Sequence, residues 1–277
     1  MNEITEYRGI SDLVYAEVTK DNNETGSGEG YVTGTVKSLA GVAELSRTTE
    51  SSSEPHYYDN IPAIVINSTG ADEVTINTSA IPFDVLADIT GQKYDSTKGA
   101  FIEGERTPKY FALGYKTKKT NGDEVYVWRL KGQFSIPDST HATEDDGTDA
   151  NGQEITYTGI STTHKFTNNN NKGAKALNVD LGKDLADVST FFNTVTTPDT
   201  LQGKTKYDLA ITSASGTTVT VTRNGQTVTA GTGKLSAGDV ITVTCTGGTM
   251  TLNGSPFTSG QTHTVAANVT IASTAQG

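Results

Sequence analysis

Residues 72–92, "DEVTINTSAIPFDVLADITGQ", decide the fold, because two periodicities meet inside them. From Glu73 to Ser79 the residues alternate, as in a strand with one buried face. From Pro82 onward the spacing changes. Phe83, Leu86, Ala87 and Ile89 form one apolar stripe, Pro82 suits the first helical position, and Gly91 suits the residue after the last turn. The stretch predicts a strand and then a short helix over 82–90. A helix with one greasy face must lie on a sheet, here through Phe83, Leu86 and Ala87.

On either side the chain is written in strand language. In "EVYVWRLKGQFSI" (124–136), Tyr126, Trp128, Leu130, Phe134 and Ile136 share one face, while Val127, Arg129, Lys131 and Gln133 share the other. That pattern predicts a half-buried strand, joined to the preceding "YFALGYKT" through a bend at Asn121-Gly122. Further strands are expected at 13–19, 31–36, 42–46, 63–67, 73–79, 155–166 and 176–180. A second helix is expected over 184–195, with Leu185, Val188, Phe192 and Val195 on one side. The fold class is all-β with two short helices.

Composition divides the chain near residue 204. Residues 1–204 hold 18 Lys and Arg against 30 Asp and Glu, an excess of twelve carboxylates, whereas residues 205–277 hold 3 against 2. The join, "TTPDTLQGKTK", reads as a linker. Beyond it, Asn224-Gly225 and Asn253-Gly254 separate alternating runs, and six or seven short strands predict a small Ig-like sandwich over 205–277. The single cysteine, Cys245, lies in "VITVTCTGG" and reads as a buried small hydrophobe on a strand. The net charge of −11 argues against gripping nucleic acid through its phosphates. No apolar run approaches the roughly 20 residues that span a bilayer, and the start, "MNEITEYRGI", lacks the basic and apolar regions of a secretory leader. The expectation is a protein folded in a cytoplasm.

Chemical motifs are few. "GSGEG" at 26–30 precedes a strand and lacks a Lys-Ser/Thr ending, so it reads as a turn rather than a phosphate cradle. Glu144, Asp145, Asp146, Asp149 and Glu154 fail the calcium-loop spacing at its charged first and last positions. His56, His141, His164 and His263 form no metal pattern and read as surface or strand residues. No Ser sits in a G-x-S-x-G elbow. The reading is a non-enzyme with no metal and no cofactor.

Taken in order, "YRGISDLVYAEVT", "HYYDNIPAIVINSTGADEVTINTSAIPFDVLADITGQKYD", "TPKYFALGYKTKKTNGDEVYVWRLKGQFSIP" and "FFNTV" resemble the major tail tube protein of long, flexible-tailed bacteriophages of Gram-positive hosts. The resemblance covers roughly residues 9–198. It implies a β-sandwich or barrel flanked by a helix in a tube domain, 1–204, with six copies closing into a ring. Rings would stack into a tube that conducts genome DNA from the capsid, capped by terminator and tip proteins. DNA would pass without specific binding and no membrane would be engaged. The helix and a sister sheet would bury one face of the sheet, leaving another to line the tube. An Ig-like exterior domain, 205–277, has counterparts in the wider class. Assembly would take place in the host bacterial cytoplasm, and the protein would end in the virion.

Two polar segments read as loops that could reach the neighbouring ring, 44–60 ("ELSRTTESSSEPHYYDN") and 137–154. The first is favoured, with Glu50, Tyr57 and Tyr58 as inter-ring contacts; the competing reading puts both tyrosines in a core at a strand start. The alternative for the whole chain is a monomeric Ig-like surface-adhesion or carbohydrate-binding protein, disfavoured by the missing leader and by the lack of an aromatic platform in 205–277. A tube protein of a contractile tail is a third reading.

Overall fold

The computed structural model describes residues 4–23, 30–141, 143 and 151–276. Most of the 26–30 turn and all of the 144–149 acidic run lie outside them. The chain forms two compact units, Met1–Gln202 and Gly203–Gly277.

The first unit is built on one large antiparallel sheet. Its long strands are β1 (Tyr7–Asp21), β4 (Val42–Tyr58), β5 (Ile61–Thr78), β8 (Phe111–Lys119), β9 (Glu124–Phe134) and β11 (Gln153–Gly159). Short strands β2 (Tyr31–Thr33), β3 (Lys37–Ser38), β10 (Asp138–Ser139) and β12 (Ala176–Asp180) attach to them, and β6 (Lys93–Asp95) pairs separately with β7 (Ala100–Ile102). The main order is β2-β1-β8-β9-β11-β5-β4. Strand β9 divides its free edge, giving Val125–Arg129 to β12 and Gly132–Phe134 to β11.

That central strand corrects two expectations. It is buried on both faces, not half-buried: Val125 and Val127 enter one core, Trp128 and Leu130 another. Phe134, expected beside Trp128, instead joins Val127. The cause is a bulge, since Phe111 pairs with Gly132 while Leu113 pairs with Arg129. One extra residue in β9 reverses the alternation, and every side chain beyond it changes face.

The single α-helix, α1, runs Phe83–Thr90, with Pro82 as its N-cap and Gly91 ending it in the left-handed conformation, φ 70°. The Gly91 and Gln92 amides donate to the Asp88 and Ala87 carbonyls, which satisfies carbonyls at the open end. Leu86 and Ile89 belong to the first core, and Ala87 is buried beside them. Phe83 differs from expectation. It is 57% exposed, and its ring stacks on Phe101 of β7. A polar clamp fixes the helix: Asp88 accepts from Tyr15 Oη at 3.0 Å and from Lys37 Nζ at 2.6 Å.

The second helix does not form. Residues 184–195 run through a two-residue strand at Ala186–Asp187 and then turns. Asp184 takes φ 50°, and the Asp187 carboxylate accepts from the Ser189 amide. Asp, Ser, Thr and Asn compete locally for the backbone bonds a helix needs. The turns bury Phe191 and Val195 against Trp128, whose Nε1 donates to the Phe191 carbonyl at 2.8 Å, and leave Leu185 exposed. This segment covers the face of the central strands opposite α1. His164 also departs from expectation, being buried at a bend with its ring edge-on to Phe166.

The second unit packs two sheets around one core. Strands at Gly231–Ser236, Lys206–Thr212, Val269–Ala275, Gly248–Leu252 and Ser255–Phe257 form the first in that order. Those at Gln226–Thr227, Thr218–Arg223, Val240–Thr246 and Thr262–Thr264 form the second. Asn224-Gly225 and Asn253-Gly254 hold the paired positive φ angles that tight hairpins need. Cys245 is buried on its strand with Val243, Ile241 and Met250 in the same core.

Candidate assembly surfaces

Residues 44–60 are not a loop. They form most of β4 and the turn of a long hairpin with β5, in register from Val42↔Thr78 to Tyr58↔Ile61. Asp59 and Asn60, at φ 51° and 65°, make the tight two-residue turn. The root of the hairpin belongs to the sheet, with Leu45, Ile76 and Ile155 side by side in a buried cross-strand row. Beyond a shift of register at Thr49/Ser51 the hairpin leaves the body, and from Glu50 to Gly70 every side chain is exposed. From Glu50 to Asp59 it extends about 30 Å at about 3.3 Å per residue.

The sequence-proposed residues fall at two places on this arm. Tyr57 and Tyr58 lie at its tip, 64% and 60% exposed and outside any core, whereas Glu50 lies at its base, beside Gly70. Sequence reasoning missed their companions Ile61, Ile64, Val65 and Ile66, all more than half exposed. "IPAIVIN" had read as an ordinary strand; the signal that it stands free is the Asp-Asn turn before it and the serine-rich partner strand opposite.

Two further surfaces flank the root. The outer face of β4, β5 and β11 carries three cross-strand rows: Glu44, Asn77, Glu154; Ser46, Thr75, Thr156; and Thr48, Glu73, Thr158. These rows hold three carboxylates and no Lys or Arg.

On the inner side lies a buried ion cluster. Arg129 Nη1 meets Asp72 Oδ2 at 2.8 Å, Lys175 Nζ meets Asp72 Oδ1 at 3.2 Å, and Thr49 Oγ1 donates to Asp72 Oδ1 at 2.9 Å. Lys175 also donates to the Gly70 carbonyl, and Arg47 stands 3.7 Å from Asp72. Burial pushes the Asp72 carboxyl up, but the bonds from Thr49 and Lys175 and the charges of Lys175 and Arg129 outweigh it, holding it below the ordinary range. Asp21 behaves alike: burial raises it, and Lys131 with the amides of Thr163 and His164 lowers it further. The cluster stands beside an open groove of about 1030 Å³, bounded by the hairpin root and the segment leading into β12.

The model of one protein family, phage tail tube protein, matches residues 43–208, from the hairpin through the sheet, helix and turns. The chain belongs to the phage tail tube family. No curated protein matches it. As a member of that family, this tail tube protein is a structural component of a virion tail that self-assembles alongside other tail proteins. The match leaves the adhesin reading no ground in residues 43–208.

The depressed carboxyls, Asp72 and Asp21 together with Asp88, Asp95 and Asp180, give this tail tube protein a pH signature. Their native pKa values lie below the unfolded value, so the unfolded chain binds more protons in that window. Their contribution is complete above about pH 4 and drains away as pH falls through the native values. The urea midpoint of the first unit should hold steady from pH 7 to 5 and drop below about pH 4. Asp21→Asn should lower the neutral midpoint and flatten that drop; an acid limb of unchanged slope in the variant would contradict the assignment.

Proposed function

We propose that six copies close a ring and that rings stack into the hollow tube of a long non-contractile tail, through which genome DNA leaves the capsid. The observation that carries this reading is the β4–β5 arm, a free two-stranded ribbon with Tyr57, Tyr58, Ile61, Ile64, Val65 and Ile66 in water. An isolated ribbon of that kind is marginally stable at best, and apolar surface of that extent marks a contact site. Among the described residues, strand β4 and the β2 end also leave two open sheet edges, a hazard for one molecule that a ring removes. Six copies lending the three strands β4, β5 and β11 each, about 4.8 Å apart and tilted about 40°, close a wall about 113 Å around and about 36 Å in backbone diameter. Side chains narrow that bore, and a duplex still fits.

We assign the bore to the outer face of β4, β5 and β11. Glu44, Glu73 and Glu154 there give phosphates no foothold, and each favourable phosphate contact would brake the DNA. Tyr57, Tyr58 and Glu50 make the inter-ring contact, the arm reaching about 30 Å beyond its own body. Residues 205–277 form an Ig-like domain on the tube exterior, terminator and tip proteins close the ends, and assembly occurs in the bacterial cytoplasm.

Sedimentation of the purified full chain tests this reading. Concentrating it should convert a single slow species into polymer, and the polymer should retain no duplex DNA in about 50 mM salt. A monomer at every concentration, or tight salt-sensitive DNA retention, would overturn it.

A further inference from the structure

We infer that the groove beside the Asp72 cluster is the socket for the hairpin tip of a second copy of this chain. The inference rests on the tube reading above and adds the surface of the neighbour that the tip enters.

The groove is a recess the chain does not fill. Its volume, about 1030 Å³, matches the upper range of cavities that bury a sizeable ligand. Leu45, Tyr115, Val125 and Val127 line it, and all four belong to or pack on the first core, so an occupant would extend that core outward. Its charged lining is weighted to cations, Arg47, Arg129 and Lys175 against Glu44 and Asp72, on a body that is otherwise strongly acidic. Arg129 is 4% exposed, and its Nε has no hydrogen-bond partner among the described residues. A buried donor left without an acceptor carries a desolvation cost that a carboxylate or carbonyl from outside would remove.

The arm supplies the complement. Its tip joins exposed Tyr57, Tyr58 and Ile61 to Asp59 at the turn and Glu54 on the flank, with no Lys or Arg from residue 48 to residue 92. Apolar residues for an apolar floor and acid for a cationic rim match in both chemistry and sign. A projection and a recess on different surfaces of one chain also make a heterologous contact, which propagates from copy to copy. A contact between identical patches would stop at a dimer.

Placing photo-reactive benzoylphenylalanine at position 58 of the full chain tests the socket. After assembly and irradiation, chain-to-chain adducts should map to peptides covering 115–127 and 174–178. Glu54→Lys, on the exposed flank of the arm, should cut the adduct yield at least tenfold while the urea midpoint stays near that of the parent. Polymer whose adducts lie elsewhere on the neighbour overturns the socket and leaves the tube reading standing. A chain that never polymerises overturns both.

Discussion

Replacing Tyr57, Tyr58 and Ile61 together with serine is expected to give a protein that folds, melts with the parent and forms no tubes. These side chains touch almost nothing in their own chain, being 60–65% exposed, so the monomer loses little when they go. In the assembly each would bury most of that surface, worth about 1–2 kcal/mol apiece at about 25 cal/mol per Å². Three together come to about 4 kcal/mol, or about a thousandfold in association at each contact. A tube multiplies that loss, because every subunit gives and receives an arm. The control is Leu185→Ser, which removes an equally exposed apolar side chain from the turn region. It should leave both melting and polymerisation unchanged. Tubes from the triple variant at the parent's concentration threshold would remove the arm from the assembly.

The second large effect concerns stability. Asp72→Ala should destabilise the first unit by about 3–5 kcal/mol, because it strands the Arg129 guanidinium inside with no counter-charge. For a unit of this size that is about 10 °C in the melting temperature. The cost belongs to breaking the pair rather than to the pair's own worth. Asp72→Leu combined with Arg129→Met should therefore recover much of it, since an apolar pair of similar volume needs no desolvation. Differential scanning calorimetry on the single and double variants separates the cases. Equal losses in both would mean that the cluster acts through packing and not through charge.

The elements that were legible in the sequence are those whose signals are local. Pro82, the apolar stripe and Gly91 sit within ten residues, and the helix forms where they point, with Pro82 one place earlier as the cap. The two Asn-Gly hairpins of the second unit are equally local. The 184–195 segment shows the limit of periodicity: four apolar residues keep helical spacing, yet Asp, Ser, Thr and Asn between them bond the backbone into turns, and Phe191, outside the stripe, is buried alongside Val195 while Leu185 is left exposed. The β9 bulge was invisible because it is a property of two strands in register, not of either alone.

The assembly surfaces were legible only in part, for related reasons. A strand exposed on both faces carries no alternation, so serine-rich β4 resembled a loop, and its partner's isoleucines resembled a core. Tyr57 and Tyr58 stood out by type, but what they lack, a covering layer, appears only when the rest of the chain is in place. Asp72 and Arg129 lie 57 residues apart, and no sequence signal joins them.

Cryo-electron microscopy of the rods formed by the concentrated chain addresses ring closure most directly. The account predicts hollow rods whose cross-sections show six subunits, with Glu44, Glu73 and Glu154 facing a bore open enough for a duplex. Discrete single molecules at every concentration, or filaments whose centre is solid or lined by Lys and Arg, would contradict it.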